Sequence, residues 1–428
     1  MTLASAQSGT ATARLRALFD QDTLRPTAPS DDDGAVAGRG TVDGTQVIAF
    51  AATTRMGEAG CRLVVDTIDA AIRERLPVVG LWDCGGGAAR LAGDVATLDA
   101  VGQVLAAVVR ASGRVPQLSV VLGPAAYGPA LTDIVIMSDA GAEADAARPG
   151  VAHVRAGDDA AALATARELA VLLGRQGRLR VDDVAEADLG ALLPPRHLAY
   201  DVRPLIERLL DAPGVELHAG WAPNVVTTLG RFGGRTVGVV ANNPLRLGGC
   251  LDVAAAEKAA RFVRTCDALG VPLVVLADVP GYLPGPGREP GDVVLRGAKL
   301  LHAFAEAVVP RVTLVTRRAY GGAYIAMNSR SLGATAVLAW PDAEIAVMGA
   351  AAAVDALHRE RLAAAPHEER EQLRARLIEE QAAVTGVDRA LKLGMVDAVI
   401  RPELTRGRIA AALADAPAAR GAHGNIPL

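Results

Sequence analysis

Several kinds of chemistry are ruled out by what this chain of 428 residues has little of. It holds four cysteines, Cys61, Cys84, Cys250 and Cys266. None stands in a C-x-x-C pair or beside a histidine, so no metal cluster is expected and a reducing compartment fits. Lysine is confined to Lys258, Lys299 and Lys392, and arginine carries the rest of the positive charge. A net charge of −4 and a pI near 6.0 leave no basic footprint for nucleic acid. No apolar run approaches the roughly 20 residues that cross a bilayer, and the opening M-T-L-A-S-A-Q-S-G-T-A-T-A-R lacks a basic start followed by an apolar stretch. The chain therefore reads as soluble and cytoplasmic. H-E-x-x-H, P-loop and paired-carboxylate patterns are missing, and no Ser/His/Asp set stands out. Aromatics supply 3% of the residues, so the cores must be built from Ala, Val and Leu.

What is present is a duplication. Arg75 to Asp83, R-L-P-V-V-G-L-W-D, recurs as Gly270 to Asp278, G-V-P-L-V-V-L-A-D. Val115 onward, V-P-Q-L-S-V-V-L, recurs from Val309 as V-P-R-V-T-L-V-T, so Pro77 and Pro272 stand 195 residues apart and Pro116 and Pro310 stand 194 apart. Each half reads as a hairpin, with turns near Asp43-Gly44 and Gly233-Gly234, and then alternating helices and strands. Helices are expected over Arg14 to Phe19, Arg62 to Arg75, Ala254 to Leu269, Arg148 to Pro195 and, as a charged surface helix, His367 to Gln381. The division falls near residue 200, giving domains 1–200 and 201–428 of an α/β protein.

Three loops of the second half are candidates for chemistry. In T-R-R-A-Y-G-G-A-Y a strand runs through glycines into a helix, which aims the backbone N–H groups of Gly321, Gly322 and Ala323 at one spot, an arrangement suited to an oxyanion. The loop D-V-P-G-Y-L-P-G-P-G, with Pro280 and Gly281, and the segment W-P-D-A-E-I-A-V-M-G-A, with Gly349 and Ala350, also come after strands, where ligands of α/β folds commonly sit. Cys84, ahead of Gly85-Gly86-Gly87, reads as a small residue at a strand end, because no histidine is positioned to activate it. Any catalysis would rely on oriented backbone dipoles.

The run N-N-P-L-R-L-G-G-C-L-D-V-A-A-A-E-K-A-A-R-F-V-R from Asn242 resembles a known family. So do D-V-P-G-Y-L-P-G, R-G-A-K-L-L, A-Y-G-G-A-Y, L-A-W-P, I-A-V-M-G-A and H-G-N-I-P-L, which come after it in order. The family is that of the carboxyltransferase β subunits of biotin-dependent acyl-CoA carboxylases, especially the propionyl-CoA type. The resemblance implies tandem duplicated crotonase-like (ClpP/crotonase spiral) domains, a hexamer of β subunits, and a partner α subunit with biotin carboxylase and biotin carrier. It further implies transfer of a carboxyl group from carboxybiotin to the α-carbon of a coenzyme A thioester, with one oxyanion hole from each half. Gly321, Gly322 and Ala323 match one hole; Tyr324 and Ile325 match acyl-pocket positions, with Ile325 where propionyl-type members carry aspartate. Coenzyme A is expected against the N-terminal half and biotin against the C-terminal half, where Pro280, Gly281, Gly349 and Ala350 lie.

The first half departs from the family pattern. Gly123 to Asp133, G-P-A-A-Y-G-P-A-L-T-D, has lost a Gly-Gly turn, leaving Gly86, Gly87, Tyr127 and Gly128 as candidates for the second hole. Cys84 to Gly93 lacks a glutamate, Leu63 replaces a lysine, and a long family segment is omitted between Asp139 and Gly150. Three readings are open: a carboxyltransferase subunit, active alone or only in a hetero-oligomer with a complete β subunit; a biotin-independent decarboxylase of a malonyl or methylmalonyl thioester; and a non-catalytic β-like subunit.

Overall fold

The duplicated sequence builds two sheets in the computed structural model, which describes residues 10–27, 34–53, 56–83, 95–122, 127–139, 150–283, 290–384 and 386–425. The first half opens with α1 (Ala11–Leu18), β1 (Arg25–Pro26), β2 (Ala35–Val42) and β3 (Thr45–Ala52). It continues through α2 (Glu58–Glu74), β4 (Val78–Trp82), α3 (Val95–Ala111), β5 (Gln117–Val121) and a one-turn α4 (Tyr127–Ala130). β6 (Ile134–Ser138), β7 (Val154–Ala156) and α5 (Asp159–Gly174) complete it. Its seven strands lie side by side in chain order, antiparallel through the β2–β3 hairpin and parallel from β3 onward.

The second half repeats this plan. It begins with α6 (Arg203–Leu209), β8 (Val215–Leu217), and the hairpin of β9 (Val225–Phe232) and β10 (Arg235–Asn242). Next come α7 (Val253–Leu269), β11 (Leu273–Val279), α8 (Pro290–Glu306), β12 (Arg311–Tyr320) and α9 (Gly321–Ala326). After β13 (Ala336–Ala339) and β14 (Glu344–Ala346), the chain makes α10 (Ala350–Leu357), α11 (Arg359–Ala364), α12 (His367–Val384) and α13 (Val387–Lys392). It closes with β15 (Ala398–Val399) and α14 (Thr405–Asp415), and β14 pairs with the far end of β12, off the main strand order.

The repeat extends to the hairpin turns. Both central residues of each turn have positive φ, Asp43 and Gly44 in one and Gly233 and Gly234 in the other, as a two-residue turn between twisted strands requires. Asp20 accepts from the N–H groups of Asp43 and Gly44 at 2.9 and 3.0 Å; Asp211 accepts from those of Gly233 and Gly234 at 3.0 and 2.9 Å. An arginine from a later helix, Arg167 or Arg406, pairs with each carboxylate.

Helix limits differ from the expected ones where a cap decides. Thr10 caps α1 through its hydroxyl, and Asp158 caps α5 by accepting from Ala161 N at 2.7 Å, so neither helix begins where apolar periodicity alone placed it. Of the stretch 148–195, expected to be helical, the described residues 150–195 form instead a strand, one helix and two short turns, Val181–Asp183 and Gly190–Leu192. α12 is charged and mostly exposed, as expected, and anchors by Leu377 against Val354 and Leu362. Among the described residues no helix is long and apolar enough to cross a membrane.

Strand side chains alternate between two cores. In β11, Leu273, Val275, Ala277 and Val279 face one, and Val274 and Leu276 the other. The first of these cores is continuous with the first half, where it takes in Val79, Leu81, Val120 and Leu169. Helix α7 is buried on nearly every side in this shared region, charged residues included.

Segment 416–425 crosses the same seam. Arg420 donates to the carbonyls of Arg114 and Ala268, one on each half, and His423 Nε2 lies 3.0 Å from Asp267 Oδ2. Asn425 donates at 2.7 Å to Asp133, which also accepts from Gln117 N and is 1% exposed. Burial pushes the Asp133 carboxyl up to about 6. Its pKa unfolded is about 3.9, so the folded chain binds the proton more tightly. This group's contribution to stability therefore declines as pH rises from about 4 to about 6 and stays low above. Asp133→Asn is expected to flatten that slope, measured as the urea midpoint against pH.

Candidate active site

The three candidate loops share one end of the second sheet because β11 and β12 run parallel and finish together. Their register holds from Leu273↔Arg311 to Ala277↔Val315, and resumes at Val279↔Ala319 with β12 two residues longer in between. This added length curls β12 around Asp278, which is 1% exposed. Arg317 Nε reaches Asp278 at 2.8 Å and Arg318 Nε reaches it at 3.0 Å, so both neighbouring arginines end on one carboxylate. Arg317 also stacks over the Tyr200 ring at 4.6 Å and donates to Leu198 O. After the bulge the two strands are last in register at Val279↔Ala319, one residue before Pro280 and two before Gly321. Gly281 O accepts from Leu251 N at 3.0 Å, which fastens that loop to the start of α7.

At the end of β12 the chain turns into α9 at Gly321, whose φ is +56°. A Cβ there would lie 2.9 Å from the Val347 carbonyl oxygen, so both backbone angle and space require glycine. Gly322 differs: a Cβ on it would meet nothing within 4 Å. Open space therefore lies over the first turn of α9, whose N–H groups have no carbonyl four residues back within the helix. Ala323, the third residue of the turn, is buried. Such a turn can accept an oxygen that gains negative charge.

The third loop lies against this one. Gly349 caps α10, which begins at Ala350, and a Cβ on Gly349 would stand 3.3 Å from the Tyr320 ring. Tyr324 and Ile325 differ in exposure. Tyr324 is 3% exposed within the shared core; its hydroxyl lies 3.5 Å from Met395 O, and burial pushes it up to about 12. Ile325 is 43% exposed, and of this pair it alone offers surface to a ligand.

In the first half, Gly86 and Gly87 lie outside the described residues. Tyr127 and Gly128 open α4, the counterpart of α9. Here a Cβ on Gly128 would touch the Trp82 ring at 3.5 Å and Leu105 at 3.8 Å. Trp82 is held by Ser119 Oγ at 2.9 Å and by the edge of Phe50, with ring centroids 5.0 Å apart. The repeat spacing pairs Trp82 with Ala277, so a large ring stands in the first half where the second has a methyl group. Sequence reasoning missed this, although the alignment of the two halves carried the signal. It also missed the Asp278 pair, whose signal was T-R-R opposite A-D-V-P.

The two glycines are separable by stability. Gly321→Ala is expected to lower the thermal midpoint, with a cost of about 1–2 kcal/mol from the left-handed backbone alone. Gly322→Ala should leave the midpoint unchanged.

The family model described as Carboxyl transferase domain matches residues 15–144 and 138–420. The chain is 51% identical to the biotin-dependent acetyl-/propionyl-coenzyme A carboxylase beta6 subunit of Mycobacterium tuberculosis, over 97% of the chain and 96% of that protein. It is 50% identical to the propionyl-CoA carboxylase beta chain of Rhodococcus erythropolis, with the same coverage. These alignments run over 455 and 459 positions, more than the chain's 428 residues, so both relatives hold stretches that this chain lacks. Among solved structures, transcarboxylase 12S, a hexamer with methylmalonyl-coenzyme A and methylmalonic acid bound, superposes with a TM-score of 0.88 at 36% identity, covering 98% of this chain and 92% of that one.

Proposed function

This chain belongs to the carboxyl transferase domain family, and we infer that it is the carboxyltransferase β subunit of a biotin-dependent acyl-CoA carboxylase. The fold is the tandem crotonase-like arrangement of that family. Its substrate is an acyl-CoA thioester, and an α subunit and further β-type subunits, in a hexameric assembly, are its partners. Biotin on the partner protein supplies the carboxyl group. The thioester α-carbon loses a proton and gains that group, so an oxygen conjugated to the reacting centre must carry negative charge on the way.

The observation that carries the reading is the open face above Gly322, beside a Gly321 that the Val347 carbonyl and a positive φ fix in place. N–H groups of the Gly321 to Ala323 turn hold the developing oxyanion, and Asp278 with its two arginines keeps the strand end that aims them. One such donor is worth about 2.7–4 kcal/mol in the transition state. The biotin side takes in residues 201–428, with Pro280, Gly281, Gly349 and Ala350 around the turn, and the coenzyme A side takes in residues 1–200. Ile325, exposed beside the turn, sets the acyl preference through its apolar surface. Cys250 and Cys266 stand as thiols in no disulfide, which suits a cytoplasmic setting.

The shortened Gly123 to Asp133 sequence, which lacks a Gly-Gly turn, favours a second reading, in which the working site joins this chain's C-terminal half to the N-terminal half of a complete β subunit. The purified chain with methylmalonyl-CoA separates the two. Loss of the carboxyl group only when free biotin is added is expected if the chain acts alone, and Gly322→Leu should cut that rate at least about a hundredfold with an unchanged thermal midpoint. Turnover only after co-assembly with a complete β subunit would establish the composite site. Loss without biotin would make the chain a decarboxylase and overturn both.

Ile325→Asp is expected to change the ratio of kcat/KM between acetyl-CoA and propionyl-CoA. An unchanged ratio would remove Ile325 from the acyl pocket.

A further inference from the structure

Strand β14 has three residues, and its partner is the last three of β12, in the register Arg318↔Glu344, Ala319↔Ile345 and Tyr320↔Ala346. A ladder this short holds a segment weakly. Yet the next four residues, Val347 to Ala350, supply the carbonyl that presses on Gly321 and the glycine that starts α10. Something beyond the ladder must fix β14.

Ile345 does this in part by burying its side chain in the shared core, and Tyr320 adds a polar tie and a packing contact at the hydroxyl end of its ring. Its hydroxyl donates to the Glu344 carboxylate, a charge-assisted bond. The ring lies against Gly349, where any Cβ would stand at 3.3 Å. Burial and the adjoining carboxylate push the Tyr320 hydroxyl well above the usual phenol range, so it stays a donor at working pH. Glu344 also pairs with Arg196, from the segment joining the two halves, at 3.1 Å. Both of those side chains are about half exposed, at 45% and 51%, so this ion pair contributes little. The hydroxyl is the link that ties Glu344 to the strand leading into the turn.

We propose that Tyr320 is a positioning residue for carboxyl transfer: it clamps the 347–350 loop to the Gly321 to Ala323 turn, through Glu344 and Gly349. This rests on the reading of that turn as the oxyanion hole. Tyr320 touches no reacting atom. It acts by holding the Val347 carbonyl against Gly321, and with it the tilt of the peptide units that donate.

The test is made on the assembled carboxylase isolated with this chain, with acyl-CoA carboxylation as the readout. Tyr320→Phe keeps the ring under Gly349 and removes the hydroxyl. It is expected to lower kcat about tenfold while the KM for acyl-CoA and the thermal midpoint stay as they were. Glu344→Ala should reproduce that loss, and Glu344→Gln, which retains an acceptor oxygen, should restore most of the rate. The double variant Tyr320→Phe with Glu344→Ala should be no slower than either single one. A wild-type kcat in Tyr320→Phe, or equal damage from Gln and Ala at Glu344, would overturn the proposal. Gly322→Leu, run alongside, tells the two failures apart: if it too leaves carboxylation intact, the oxyanion turn itself is misassigned.

Discussion

The fold depends on burying a charged helix. Helix α7 sits where the two sheets meet, and Glu257, Lys258, Arg261 and Asp267 along it are each less than a tenth exposed. Ionic groups removed from water destabilise a structure unless each ends on a fixed partner. Here every one does. Lys258 donates to the carbonyls of His218, Trp221 and Ala222, and so holds a turn in which His218 and Ala222 have positive φ. Arg261 crosses to the first half and donates to Thr132 O and His153. Asp267 accepts from Val308 N and Val309 N just before β12, and Glu257 takes Lys299 and Arg296 from α8. With these bonds made, α7 fixes the first half, the entry to β12 and the position of α8 together.

From that entry β12 leads directly to the site. One buried carboxylate, Asp278, takes two consecutive arginines because β12 is longer than its neighbour, and the strand end is thereby pinned where the chain must turn at Gly321. The turn needs no charged side chain of its own. Its polarity comes from amide groups at a helix start, and the surrounding ion pairs only keep those groups still. The two halves share this construction and differ in what fills it. At one equivalent strand position the second half has Ala277, and the first has Trp82, tied to Ser119 and Phe50 and in reach of Gly128. A duplicated fold can thus change the side chains packed behind a turn while keeping the order of its strands.

The sequence alone determined much of this. Repeat spacing, hairpin turns and apolar strands are local patterns, set by backbone geometry and burial period, so the two-sheet architecture and the order of its elements were readable from particular residues: Pro77 against Pro272, Asp43-Gly44 against Gly233-Gly234. The glycines at 321 and 322 were readable for the same reason, since a strand passing through them into a helix is a local event. Tertiary structure decided the rest, because it depends on partners far along the chain. Which glycine is held in a strained backbone is set with Val347; what stands beside Gly128 is set by Trp82; which of Tyr324 and Ile325 is exposed is set by the core under α9. Helix limits moved where Thr10 and Asp158 capped them. Hydrogen bonds and contacts between residues distant in sequence leave no periodic trace, and only the folded chain shows them.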